Sequence, residues 1–140
     1  MCLRDIVFLS VFFLVPVKEI YLRQRTLSGW QKMLATDVIV LREMEDNELE
    51  CVAVVDGGLT PTVLRATVGI EDKTQFFTAS EEIKVIKTDE SGLVRYYSEY
   101  KLTYSSMIPP QEFNGMWLTC AAVQDGFHNL STSVLLSVEC

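Results

Sequence analysis

Short stretches in which apolar and polar residues alternate recur along most of the chain, each closed by residues that favour turns. "DVIVL", from Asp37, has the composition of a strand. In "NELECVAVV", Leu49, Cys51 and Ala53 fall on one face, and the run stops at Asp56-Gly57-Gly58. "PTVLRATVG" opens with Pro61 and closes with Gly69. A strand near Ile83–Lys87 precedes a turn at Asp89–Gly92. The clearest alternation is "LVRYYSEYKLTYS", where Tyr96, Ser98, Tyr100, Leu102 and Tyr104 share a face. "IPPQEFNG" reads as a corner, since two prolines cannot sit in a central ladder. "MWLTCAAV", a hairpin tip at "QDGFHN" and "STSVLLSVEC" complete the pattern. Seven or eight evenly spaced strands without long crossover segments predict an all-β sandwich or barrel.

The N-terminal stretches differ. Ile6–Val17 is an uncharged apolar run of 12 residues behind Arg4. It is too short for a transmembrane helix, which takes about 18 or more apolar residues, and suits the apolar region of a secretory signal. Asp5 ahead of it and the lack of a small-residue cleavage site depart from that pattern; a short anchor or a misassigned first exon is the other reading. Residues 18–36, "KEIYLRQRTLSGWQKMLAT", are basic, with weak helical spacing broken at Ser28-Gly29, and read as a linker. The expected organisation is a signal-like segment at 1–17, a linker at 18–36 and a domain at 37–140.

The chain has 140 residues, 49% hydrophobic and 22% charged, which suits one domain with its own core. A formal net charge of −7 argues against a general nucleic-acid binder, which needs a basic footprint. The charge is uneven: residues 1–36 hold five basic and two acidic residues (+3), and the remainder 7 basic and 17 acidic (−10). That change of sign suggests two pieces with different roles.

Cys2, Cys51, Cys120 and Cys140 form no CxxC pair, and His128 is the one histidine, so the close Cys/His pairs of a structural zinc site are missing. A catalytic thiolate wants a nearby histidine or a helix N-terminus, whereas Cys120 sits mid-strand among apolar neighbours. Cys51 and Cys120 lie on the apolar faces of separate strands. They are either a bridge between two sheets packed face to face or two free cysteines acting as small hydrophobes. The sequence offers no nucleophile with a base, no phosphate loop and no metal cluster, so neither enzyme activity nor a cofactor is expected. The acidic clusters "REMEDNELE" and "DESG" lack the fixed spacing of a calcium loop and read as solvated edges that discourage aggregation.

Taken together, "LECVAVVDGGLTPTVLRATVG", "GMWLTCAAV" and "STSVLLSVEC" resemble the B, C, F and G strands of an immunoglobulin-superfamily domain of the I-set or C2-like kind, over residues 37–139. The two cysteines, Gly58 and Pro61 ahead of the third strand, and the "LTCAA" context carry the likeness. It implies an immunoglobulin-like two-sheet antiparallel β-sandwich with Greek-key connections. It also implies a Cys51–Cys120 bridge, Leu102 inward on strand E, and Asn114-Gly115 at the turn into strand F. Leu64 or Arg65 stands where the family has a buried tryptophan, and Leu118 stands where it has a tyrosine two residues before the second cysteine. Trp117 falls on the opposite face and cannot replace that tyrosine. Tyr100, Tyr104, Phe76 or Phe77 is therefore expected to fill the core. A fibronectin-III-like sandwich is the neighbouring alternative, in which such a bridge is less expected.

The resemblance implies an extracellular recognition module of an adhesion or immune-type protein, secreted or tethered to a membrane within a longer chain. Its partner would be a protein, with no nucleic acid and no cofactor. A structural spacer without a ligand, and an intracellular module with reduced cysteines, are the rival readings. Trp117 and Arg65 are the candidate contact residues on one sheet face, expected to stack as an amphipathic patch. Phe127 and His128 are candidates in the "QDGFHN" tip. Asn129-Leu130-Ser131 is an N-glycosylation acceptor sequence at the same tip. Cys140, directly after the last strand, has no expected partner within the chain; it marks either a fragment of a longer product or the pairing cysteine of a dimer.

Overall fold

Along Trp117–Val123 every second side chain, Leu118, Cys120 and Ala122, is buried while its neighbours face outward. A period of two is the mark of a strand with one face on a core. It recurs through the computed structural model, which describes residues 16–56, 62–87 and 94–140. Most of the signal-like segment, with Cys2, and also Gly58, Pro61 and the turn at 89–92 lie outside the described residues.

The strands, in chain order, are β1 (Glu19–Thr26), β2 (Gly29–Met33), β3 (Val38–Arg42), β4 (Asn47–Asp56), β5 (Val63–Val68), β6 (Glu71–Asp72), β7 (Thr78–Lys87), β8 (Val94–Ser106), β9 (Trp117–Val123) and β10 (Leu130–Glu139). They form two five-stranded sheets, ordered β2-β1-β4-β8-β7 and β3-β10-β9-β5-β6. All pairings are antiparallel except β3 with β10, which is parallel. The chain passes between the sheets at β2–β3, β3–β4, β4–β5, β6–β7 and β8–β9. Leu22, Leu49 and Leu102 of the first sheet therefore meet Leu41, Leu118 and Leu136 of the second in one core. Cys51 and Cys120 join across it as a disulfide, Cα atoms 6.3 Å apart, both side chains fully buried.

Residues 18–36 are not a linker, and the folded unit begins before residue 37. β1 pairs with β4 from Glu19 to Gln24, sending Leu22 into the core and Tyr21 and Arg23 outward. The Ser28-Gly29 interruption is a hairpin turn between β1 and β2. Gly29 takes φ 108° there, a region closed to most side chains, and Thr26 Oγ1 donates to the Gly29 carbonyl at 2.9 Å. The same pairing accounts for the change in charge. Basic β1 lies against acidic β4, through Arg23–Glu50 and Arg25–Glu48 ion pairs, so the two signs belong to neighbouring strands of one sheet.

Three smaller expectations also change. The strand expected near 83–87 begins at Thr78, and its first half was hidden by the polar run "TASEE". Among the aromatic candidates Tyr104 is buried, Tyr100 and Phe77 pack at the core margin, and Phe76 is exposed. Phe113, from the short 3-10 turn Gln111–Phe113, supplies the missing volume; its ring centroid lies 6.3 Å from that of Tyr104. "REMEDNELE" is not wholly a solvated edge, because it runs into β4, a strand flanked on both sides. Asn47 and Glu50 are buried there. Leu64 faces the core and Arg65 faces solvent, so of the two it is the leucine that fills the core at this point of β5.

Candidate binding face

The register of the second sheet builds an apolar row across its outer surface. Val38 of β3 pairs with Leu135 of β10, and Leu135 with Trp117 of β9. The Trp117 carbonyl in turn accepts from the amide of Gly69, just past β5, at 2.9 Å. Val38 is 45% and Trp117 49% exposed, so the row is open to a partner. Exposed Met116 and Ile70 flank the tryptophan end, beside a concavity of about 280 Å³.

The rows beyond it carry short, uncharged side chains on β9 and β10. Thr119 and Ser133 face each other with hydroxyls 2.7 Å apart, and Ala121 pairs with Ser131. Charge returns at the margins, where Arg42 meets Glu139 at 3.3 Å and Arg65 meets Asp72 at 3.7 Å. The Thr74 hydroxyl and amide both donate to Asp72 and, with Arg65, hold its carboxyl below the usual range. Desolvating the centre of this face costs little, because no ion has to be stripped of water.

The outer face of the first sheet is the chemical opposite. Arg23, Arg25, Lys32, Lys84 and Lys101 each pair with a carboxylate there. Arg23 lies over the Trp30 ring at 4.8 Å, and Lys32 over Tyr21 at 4.9 Å. A partner covering that face would have to desolvate ion pairs across its whole width.

The structure separates the residues expected to act together. Arg65 pairs with Ala121 and not with Trp117. Trp117 and Ala121 are four residues apart on one strand, about 13 Å, so the expected stack does not form and Asp72 takes the guanidinium. Phe127 and His128 lie at the opposite end of β9 from Trp117, Phe127 half-buried and His128 exposed. The Phe127 amide closes the tip onto the Gln124 carbonyl at 3.3 Å. Beneath it Gln124 is buried; its side chain donates to Thr62 Oγ1 and accepts from the Val17 amide, each at 2.9 Å. Asn129 and Ser131 of the acceptor sequence are exposed, and Cys140 is an exposed free thiol. Val38 and Leu135 were not anticipated as face residues. Their signal lay in the β3–β10 pairing, which no local pattern announces.

Among the described residues no three of His, Cys, Asp and Glu converge to hold a metal ion, and no helix is long and apolar enough to cross a membrane. No protein-family model and no curated protein matches the chain.

Proposed function

We propose that this is an immunoglobulin-like recognition module, working outside the cell, that binds a protein partner through the outer face of its second sheet. The single observation that carries the reading is the open Val38–Leu135–Trp117 row on a face whose centre is uncharged, in a chain whose net charge is −7. Interface centres are depleted in charge, and tryptophan recurs among their energetic anchors. The strand order supports the family: β1-β4-β8-β7 against β10-β9-β5 parallels the A-B-E-D and G-F-C sheets of immunoglobulin domains, with β2 as an addition on the outer edge. A buried disulfide suits an oxidising compartment, and a glycan on Asn129 would stand at the far end of β9, clear of Trp117.

The test is binding of the labelled protein to cells displaying a panel of single extracellular proteins. Binding that Trp117→Glu abolishes and Trp30→Glu leaves intact is the expected result. Binding unaffected by Trp117→Glu would refute the face, and a protein that binds no member of the panel would leave the spacer role.

A further inference from the structure

β7 is a free border of the first sheet, and it differs from the other borders. It runs for 10 residues, against 5 in β2, 5 in β3 and 2 in β6. Among the described residues no strand pairs with its outer side. A long border strand presents unpaired N–H and C=O groups, a template for another strand unless proline, a bulge, uncompensated charge or a covering segment blocks it. β7 contains no proline. It leaves Ile83 63% and Val85 58% exposed, on the face shared with buried Ser98.

We infer that β7 is a self-recognition edge: a second copy of this chain pairs with it antiparallel through residues 81–85, joining two first sheets into one continuous sheet. Its charges select the register. A two-fold axis perpendicular to the sheet keeps each face on its own side, so one of the β7 residues lies on the axis. With Ile83 there, Glu82 of each copy opposes Lys84 of the other, and the two isoleucines meet on the opposite face. Centring on Glu82 sets carboxylate against carboxylate, and centring on Lys84 sets ammonium against ammonium. Directly opposed unlike charges favour a cross-strand pair and like charges disfavour it. Within one chain Glu82 already bonds Lys84 at 2.8 Å and Lys101 at 3.4 Å, so the charged groups lie together on that face before any partner arrives. Glu81, which opposes Val85 in this register, faces Tyr100 of β8 within its own chain. The pairing leaves both second-sheet faces open and does not depend on what they bind.

Sedimentation over a concentration series tests this, with Cys140→Ser introduced so that the free thiol cannot cross-link. A reversible monomer–dimer equilibrium is expected. Glu82→Lys and Lys84→Glu each place like charges in both cross-strand pairs and should raise the dissociation constant at least about tenfold. The double variant E82K/K84E restores the alternation and should recover dimerisation, whereas Ile83→Lys sets two ammonium groups on the axis and should abolish it. Amide exchange gives a second readout on the unsubstituted edge: β7 amides should slow as concentration rises while those of β2 do not. A protein monomeric at every concentration, a double variant as weak as the single ones, a dimer that survives Ile83→Lys, or β7 exchange indifferent to concentration would each overturn the inference.

Discussion

Arg23 of β1 and Glu50 of β4 are joined by two hydrogen bonds to one oxygen, Nε donating to Glu50 Oε1 at 2.7 Å and Nη2 donating to the same atom. Thr103 Oγ1 donates to the second carboxylate oxygen at 3.2 Å. Side-chain exposure is 22% for Arg23 and 11% for Glu50, so this carboxylate relies on protein partners where a surface ion pair relies on water. Arg23→Ala is expected to destabilise the fold by about 1–3 kcal/mol. Arg23→Lys should recover part of that, since an ammonium lacks the planar fork. Arg25→Ala, at a more exposed pair, should cost under about 1 kcal/mol. Urea denaturation of the three variants checks the ordering.

The Cys51–Cys120 bridge makes a second prediction. Peptide mapping of unreduced protein should recover these two cysteines linked and Cys140 as a thiol. Replacing both by alanine should lower stability by about 2–5 kcal/mol, in the range for native disulfides that close long loops. Denaturation of the oxidised protein beside the double variant measures it.

Asn47 ties three segments together. Its Oδ1 accepts from the Arg42 amide at 2.9 Å, while Nδ2 donates to the carbonyls of Arg42, Glu45 and Ser106 at 2.8, 3.1 and 2.9 Å. Removing it leaves partly buried backbone groups unpaired. Asn47→Ala should therefore cost about 1–3 kcal/mol, and Asn47→Asp should not rescue it, because a carboxylate cannot donate. Thermal melts of both variants test the point.

Tyr104 gives the fold a one-sided pH dependence. Burial raises the pKa of its phenol above the ordinary 10.0, a weak contact with Ser106 offsetting only part, and among the described residues none meets the hydroxyl with ordinary hydrogen-bond geometry. The folded state thus favours the protonated form, and the unfolded chain ionises first. Stability is full below about pH 10 and falls as pH rises from there through the folded-state value. Tyr21 and Tyr100, also raised chiefly by burial, add in the same direction. Tyr104→Phe keeps the ring against Phe77 and Phe113 and removes an unsatisfied group. It should be neutral or stabilising by up to about 1 kcal/mol at neutral pH, and should flatten part of the alkaline loss. Melting curves across neutral and alkaline pH read both effects.

Much of this architecture was legible because side-chain alternation and burial are the same fact in a strand with one dry face. That holds for "MWLTCAAV", where Leu118 and Cys120 point inward, and for "YYSEYKLTY", where Leu102 and Tyr104 do. It fails in β1, whose polar positions carry Tyr21 and long basic stems, so that the alternation resembles weak helical spacing. It fails again at Phe113, since the prolines before it erase any period. The candidate face was legible only in part. Trp117 stood out by its chemistry, but Val38 becomes its neighbour through Leu135, and a pairing between the third strand and the tenth leaves no local trace.

That parallel pairing also governs how the chain can be made. Arg42 and Glu139, at the ends of β3 and β10, are 97 positions apart. As a nascent chain emerges from the ribosome or a translocation pore, β3 appears early and waits without its neighbour until nearly everything after it has followed. The second sheet cannot close vectorially. Its completion is a late, collective event dominated by distant contacts, which are the slow ones to form. Until then an open strand and an unsealed core stand exposed to whatever else is folding nearby.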